Sequence, residues 1–303
     1  MRNCVIWSVV LLAMVGTACN NDPKPLEQRK AAQESDAGSK TKGPAEPEKA
    51  AQEVGAAGKT EGPPKELAVD LGGGVNLELV LIPAGSFMMG DDAAKPVREA
   101  KPVHKVNITK PFYLGKYEVT QEQWEAVMGN NPSRFKGPKN PVERVSWDDC
   151  QTFLGKLNVK TGGQGSKFVL PTEAQWEYAC RAGSTTTWCF GDDAARLGDY
   201  AWYDDNSVDN THAVGQKKPN AWGLYDMHGN VWEWCEDWYD GGYYAGSPAD
   251  DPSGPDTGSR RVRRGGSWLI TAGSGRSAAR YFEEPWLGRL FDLGFRVARA
   301  PAE

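Results

Sequence analysis

A break in composition near residue 65 most constrains what this chain of 303 residues can fold into. Residues 20–65 hold no aromatic side chain and consist almost wholly of Ala, Glu, Lys, Gly, Pro, Gln and Ser. Such a segment cannot bury enough apolar surface to offset the entropy of ordering it, so a disordered linker is expected there. Residues 66–303 instead carry all 12 tryptophans except Trp7, together with dense Tyr, Gly and turn residues. That stretch reads as one globular domain of ordinary large size.

The first 19 residues form a third region. Arg2 supplies a basic start, residues 5–15 are apolar, and Gly16, Thr17 and Ala18 precede Cys19. The apolar run is too short for a membrane-spanning helix and has the layout of a secretion signal. Small residues directly before a cysteine resemble a bacterial lipoprotein cleavage site, with lipid on the Cys19 thiol. An exported, membrane-anchored lipoprotein is therefore expected, at the outer membrane, the cell surface or the periplasmic face. A net charge of -5 argues against nucleic acid as a partner.

Within the domain, LELVLIPAG (77–85), HKVNI (104–108), FYLGKYEVT (112–120) and the segment around NVWEW (230–234) read as strands. Thr120, Ser146 and Thr172 each precede a helical pattern, QEQWEAVMG, WDDCQTFLGKLN and EAQWEYACRAG, with an acid or amide in the first turn. Trp176 and Cys180 fall on one face of the third helix and are expected in the core. Long Gly-, Pro-, Asn- and Asp-rich connections lie between, which need packing, disulfides or ions to hold them. Cys150, Cys180, Cys189 and Cys235 could pair in an exported protein in any of three connectivities.

Seven motifs follow one another: LIPAGSFMMG, YEVTQEQW, PVERVSWDDC, LPTEAQWEYACRAG, NAWGLYDMHGNVWEW, RRVRRGGSW and LGFRVAR. Their order resembles that of the sulfatase-modifying-factor family, which contains the formylglycine-generating enzymes. The resemblance implies an α+β fold, a variant of the C-type lectin fold with little regular secondary structure. It also implies a shallow groove formed partly by the C-terminal segment.

The enzymes of that family oxidise a protein cysteine with copper held by two cysteines. The matching positions here are Ile270 and Gly275, and no cysteine follows Cys235. Copper is therefore not expected, and no catalytic residue is assigned. An oxidase acting on a protein cysteine is the alternative. A second resemblance places a Ca²⁺ site on Asp226, Gly229, Val231 and Glu233, where carboxylates and backbone carbonyls offer hard oxygen ligands. A further calcium site of the family has Trp202 and Tyr203 in its place. The related sulfur-inserting iron oxygenases need a helical domain and histidine ligands that His104, His212 and His228 do not supply by sequence.

The cysteine-free segment has the character of a recognition surface, rich in large aromatic and apolar residues. Ile270, Thr271, Ser274, Tyr281, Phe282, Trp286, Leu290 and Phe291 are the candidate ligand-binding residues, while Phe295 and about a third of the segment's large apolar residues are expected in the core. Ser267 and Arg280 are expected to make structural hydrogen bonds. Some relatives without the cysteines diversify this segment through retroelements that mutate adenines. Leu269, Ile270, Thr271, Gly273, Ser274, Tyr281, Phe282 and Leu290 are all reachable from an AAC codon; Glu283, Glu284 and Trp286 are not. The expected function is a displayed, non-catalytic domain that binds a protein or glycan ligand.

Overall fold

Three caps start the three main helices of the computed structural model, which describes residues 64–92, 99–162 and 166–300. Thr120, Ser146 and Thr172 each accept a bond from the backbone N–H three residues on. Gln123, Asp149 and Gln175 return a bond to the cap's own N–H. These reciprocal pairs satisfy donors that every helix start leaves open. Helix α1 covers Gln121–Met128, α2 Trp147–Lys160 and α3 Glu173–Arg181; a single turn, α4, covers Leu197–Tyr200. Helix α2 runs two residues beyond its expected end at Asn158. Cys19 and residues 20–63 lie outside the described residues.

The strands form three sheets. Strands β1 (Glu66–Asp70), β2 (Asn76–Ile82), β5 (Phe112–Gly115), β11 (Ala298–Arg299) and β6 (Phe168–Val169) lie in that order, all antiparallel. Strands β10 (Leu293–Gly294), β7 (Trp232–Trp238), β8 (Arg261–Arg264) and β9 (Tyr281–Glu283) form the second sheet, with β10 parallel to β7. Strands β3 (Gly85–Met89) and β4 (His104–Ile108) pair separately. Short strands, few helices and long connections give the expected α+β fold with little regular structure.

Three expected strands have different ends. The run 77–85 breaks after Ile82, because Pro83 has no N–H to give the ladder, and Gly85 starts a strand with a different partner. The run 112–120 stops at Gly115, whose carbonyl accepts from Arg296 Nη1 at 2.9 Å as the chain turns Glu118 inward. The run near Asn230 starts only at Trp232, since Asp226 and Asn230 hold φ of 61° and 65° in a tight turn.

Two large apolar clusters fill most of the interior, with two small ones beside them. One large cluster stacks Trp124 on Phe153 at 5.3 Å with Phe295 edge-on to both, so Phe295 is core as expected. The other gathers Trp176, Ala179 and Cys180 of α3 with Val262 of β8. The four cysteines of the domain are all free thiols, so the anticipated pairing is not made. Aromatic packing and buried ion pairs hold the connections instead.

Candidate ligand-binding face

Three buried arginines fasten the C-terminal segment to the body of the domain. Arg280 donates to both oxygens of Glu173 at the start of α3, at 2.8 and 2.7 Å. Arg264 bonds Glu177 one turn along, and also the carbonyls of Ala279 and Ser277. Arg296 donates to both oxygens of Glu233 on β7, each at 2.6 Å. Arg280 and Arg296 each meet both oxygens of a carboxylate in a fork geometry that lysine could not reproduce, while Arg264 spreads its donors over one carboxylate oxygen and two carbonyls. Arg280 is therefore structural, as expected.

On this frame, Tyr281 of β9 packs on Trp232 of β7 with ring centroids 4.7 Å apart, and Arg263 of β8 lies 5.0 Å over the Trp232 ring. Ser267 donates to Asp292 at 2.9 Å, which makes it structural as well. Burial holds the Asp292 carboxyl above its ordinary pKa despite that bond. Tyr281 Oη reaches Ser274 Oγ at 3.4 Å, and Ile270 packs partly on the core below. Tyr281, Ser274 and Ile270 are thus brought together.

The remaining candidates are dispersed. Phe282 follows Tyr281 on a strand, so it points to the opposite face and packs on Tyr239 at 4.4 Å with Arg260 over its ring. Phe282 is therefore removed from the surface that Tyr281 joins. Leu290 packs partly on the core with Tyr281, while Trp286 is 56% exposed beside exposed Leu287; Thr271 and Leu269 are exposed too. Phe291 meets Trp268 and Phe135, with Arg134 stacked 5.3 Å over its ring. Arg134, Phe135 and the buried Glu143, pushed up to about 7 by burial, were not anticipated. Their only signal was an Arg-Phe pair inside the Pro-rich run 132–138. A cavity of about 850 Å³ lies beside this face, lined by Phe87, Met88, Arg181 and Trp222, and meets the segment at Arg276 and Ala278.

Of the two positions that replace the cysteines, Gly275 is sterically closed, while Ile270 already holds a side chain larger than cysteine. A Cβ added at Gly275 would lie 2.6 Å from the His228 carbonyl oxygen, and one at Gly266 would lie 2.6 Å from Ile270 Cδ1. His228 holds the loop from beneath: Nδ1 meets the Gly275 carbonyl at 2.9 Å and Nε2 accepts from Cys189 N–H at 3.2 Å. Both ring nitrogens are engaged in the neutral form, and burial pushes the imidazole pKa down to about 4.

Of the anticipated calcium residues, Glu233 is bonded by Arg296 and Asp226 feels the charge of the same guanidinium. Asp226 takes the Gly215 N–H on one oxygen, while its other oxygen, Oδ1, is buried without a hydrogen-bond partner. Burial raises its pKa to about 6. Such an atom fits a cation ligand. Glu233 fits less well, because both its oxygens already take Arg296 and one also takes Trp176 Nε1 at 2.6 Å. Gly229 and Val231 lie on the turn between them, where Val231 N–H donates to buried Glu118. Among the described residues, no group of three or more His, Cys, Asp or Glu converges as a metal cage. At the second site, Trp202 stacks on His212 at 3.7 Å with Lys217 Nζ 3.8 Å over its ring.

Residues 74–301 match the Sulfatase-modifying factor enzyme 1-like domain family. The chain belongs to that family. Among family relatives, the Chaperone protein LppX of Paenibacillus barcinonensis is 31% identical over 275 residues, covering 75% of this chain and 90% of that one. A Formylglycine-generating enzyme of Streptomyces coelicolor is 31% identical over 255 residues, covering 63% and 78%. Among solved structures, Treponema denticola variable protein 1 superposes with a TM-score of 0.72 at 35% identity, covering 78% of this chain and all of that one. PvdO from Pseudomonas aeruginosa gives 0.68 at 29% identity, covering 80% and 100%. The sulfatase-modifying-factor fold expected from the seven motifs is thus the fold observed. Among the described residues, no helix is long and apolar enough to cross a membrane.

Proposed function

We propose that this domain is a non-catalytic member of its family that binds a protein or glycan ligand on its C-terminal face. The observation that carries this reading is the closed loop. Ile270 fills the space beside Gly266, and Gly275 rests against the His228 carbonyl, where a thiol-bearing side chain has no room. Exposed Trp286 supplies aromatic contact area of the kind that dominates binding energy, and exposed Leu287 and Leu269 add apolar surface. The similarity to Treponema denticola variable protein 1, a protein named for its variability, supports a face that varies in sequence.

A lipid on Cys19 and a flexible linker would display the domain, reaching roughly 35 to 40 Å from the membrane on average. We also propose that Ca²⁺ binds at Asp226 Oδ1, sharing Glu233 with Arg296, and clamps the 226–233 turn. Calcium should raise the melting temperature of the wild type and not of Asp226→Ala.

The binding reading is tested by probing a glycan array and a displayed peptide library with the purified protein, alongside Trp286→Ala and Tyr281→Ala. A hit weakened at least tenfold by either variant supports it; hits unaffected by both, or no hits, count against it. Incubation with copper, oxygen and a cysteine-containing sulfatase peptide distinguishes the oxidase alternative. Conversion of the peptide cysteine to formylglycine would establish catalysis and displace this reading.

A further inference from the structure

Two thiols of the domain meet at one imidazole. Cys180, in the last turn of α3, has its Sγ 3.9 Å from both Nδ1 and Nε2 of His228. Cys189 donates its N–H to the same Nε2 at 3.2 Å. The thiols also sense each other: burial raises the pKa of Cys180 most, and the Cys189 thiol raises it further. Cys150 sits in the other core cluster, and Cys235, though buried in the same cluster as Cys180, is not among the groups that act on the Cys180 thiol, as Cys189 is. Of the three ways to pair four cysteines, the fold therefore favours the one that contains Cys180 with Cys189.

The chain between the two doubles back on itself. Ala182 and Gly183, with φ of 45° and 88°, turn it out of α3. Trp188 and Gly191 then exchange backbone bonds of 3.1 and 3.2 Å, closing a tight hairpin that presents half-buried Cys189.

We propose that Cys180 and Cys189 form a redox modification site, closing reversibly into a disulfide when a small-molecule or protein disulfide serves as oxidant. Cys189 is the more accessible sulfur. Its thiolate attacks the oxidant, breaking the oxidant's S–S bond, forming a mixed disulfide and releasing one thiol. The thiolate of Cys180 then attacks the Cys189 sulfur and expels the second thiol. Two protein thiols lose two electrons and two protons, which end on two molecules of reduced thiol. Burial raises both thiols' pKa values, so each step needs the 182–191 hairpin to lift away transiently and let a thiolate form.

Closure would act on more than the hairpin. Residues 183–187 form one wall of the 850 Å³ cavity, and Thr187 accepts from Ser277 N–H at 3.0 Å, next to the loop that His228 supports. Tying the hairpin to α3 fixes that wall and the stretch 275–277 together.

Trypsin makes the test direct, because Arg181 separates the two cysteines. The full chain is incubated with glutathione disulfide or with dithiothreitol, alkylated, denatured and digested. After oxidation, peptides 168–181 and 182–196 should remain joined, lacking two hydrogens, and the melting temperature should rise by several degrees over the reduced protein. Cys189→Ala should match the reduced wild type and gain nothing from the oxidant. Full alkylation of both thiols after oxidation, glutathione retained on Cys189, or a link from Cys180 to Cys235 would each overturn the proposal. So would an oxidant-dependent rise that survives in Cys189→Ala.

Discussion

Arg280 and Glu173 are 107 residues apart in sequence and share two hydrogen bonds, of 2.8 and 2.7 Å, with both side chains almost fully buried. Removing one partner leaves a buried charge uncompensated. Arg280→Ala should lose about 3–5 kcal/mol in chemical denaturation. Arg280→Lys should recover only part of this, since lysine keeps the charge without the fork. An Arg280→Ala variant as stable as wild type would show that the pair does not hold the segment.

Asp237 gives a pH dependence with a definite sign. Burial, and then the nearby Glu173 charge, push its carboxyl up to about 8 in the folded state, against 3.8 ordinarily. A raised folded pKa means that its contribution is fully present below about pH 4 and is lost as pH rises through 8. Asp237→Asn mimics the protonated form and can keep an acceptor for the Glu173 N–H, now 2.7 Å from Oδ2. The variant should be more stable than wild type at pH 8.5 by about 1 kcal/mol or more, with the gap closing towards pH 4. Equal slopes for the two proteins would reject this assignment.

Gly275 should not tolerate a side chain. Its φ of -91° is open to any residue, so the obstacle is the His228 carbonyl 2.6 Å from a Cβ, not backbone strain. Gly275→Ala should cost about 1–3 kcal/mol, as overpacking does elsewhere. By the same argument, Ile270→Cys combined with Gly275→Cys should not recreate a copper site. Tight Cu(I) binding by that double variant, measured by competition with a chelator, would show that the loop yields.

Trp286 separates binding from folding. At 56% exposure it contributes little to packing, so Trp286→Ala should change stability by less than about 0.5 kcal/mol. Its effect should appear in ligand affinity. A large loss of melting temperature would instead place Trp286 in the fold.

The helices were legible because their signals are local. Thr120 with Gln123, Ser146 with Asp149 and Thr172 with Gln175 each lie three residues apart, and each forms the bonds that this spacing allows. Strand ends were less legible, because partners far along the chain decide them: Gly115 ends its strand facing Arg296, 181 residues away. The face was legible as a segment and not as a surface. Tyr281 and Phe282 look equivalent in sequence, yet one step along β9 sends them to opposite sides of the sheet. Around Asp226 and Glu233, sequence spacing showed the carboxylates and concealed Arg296, which reaches them only through the fold.

Strand β11 lies between β5 and β6, and among the described residues β6 has no other strand partner. The first sheet therefore waits for residues 298 and 299 before its order is complete. During synthesis, everything up to about residue 290 can emerge with β6 unpaired and β5 open on one side. Contacts this distant in sequence form slowly. The delay keeps the sheet open until β11 is out, and it makes Ala298 and Arg299 the latch between β5 and β6.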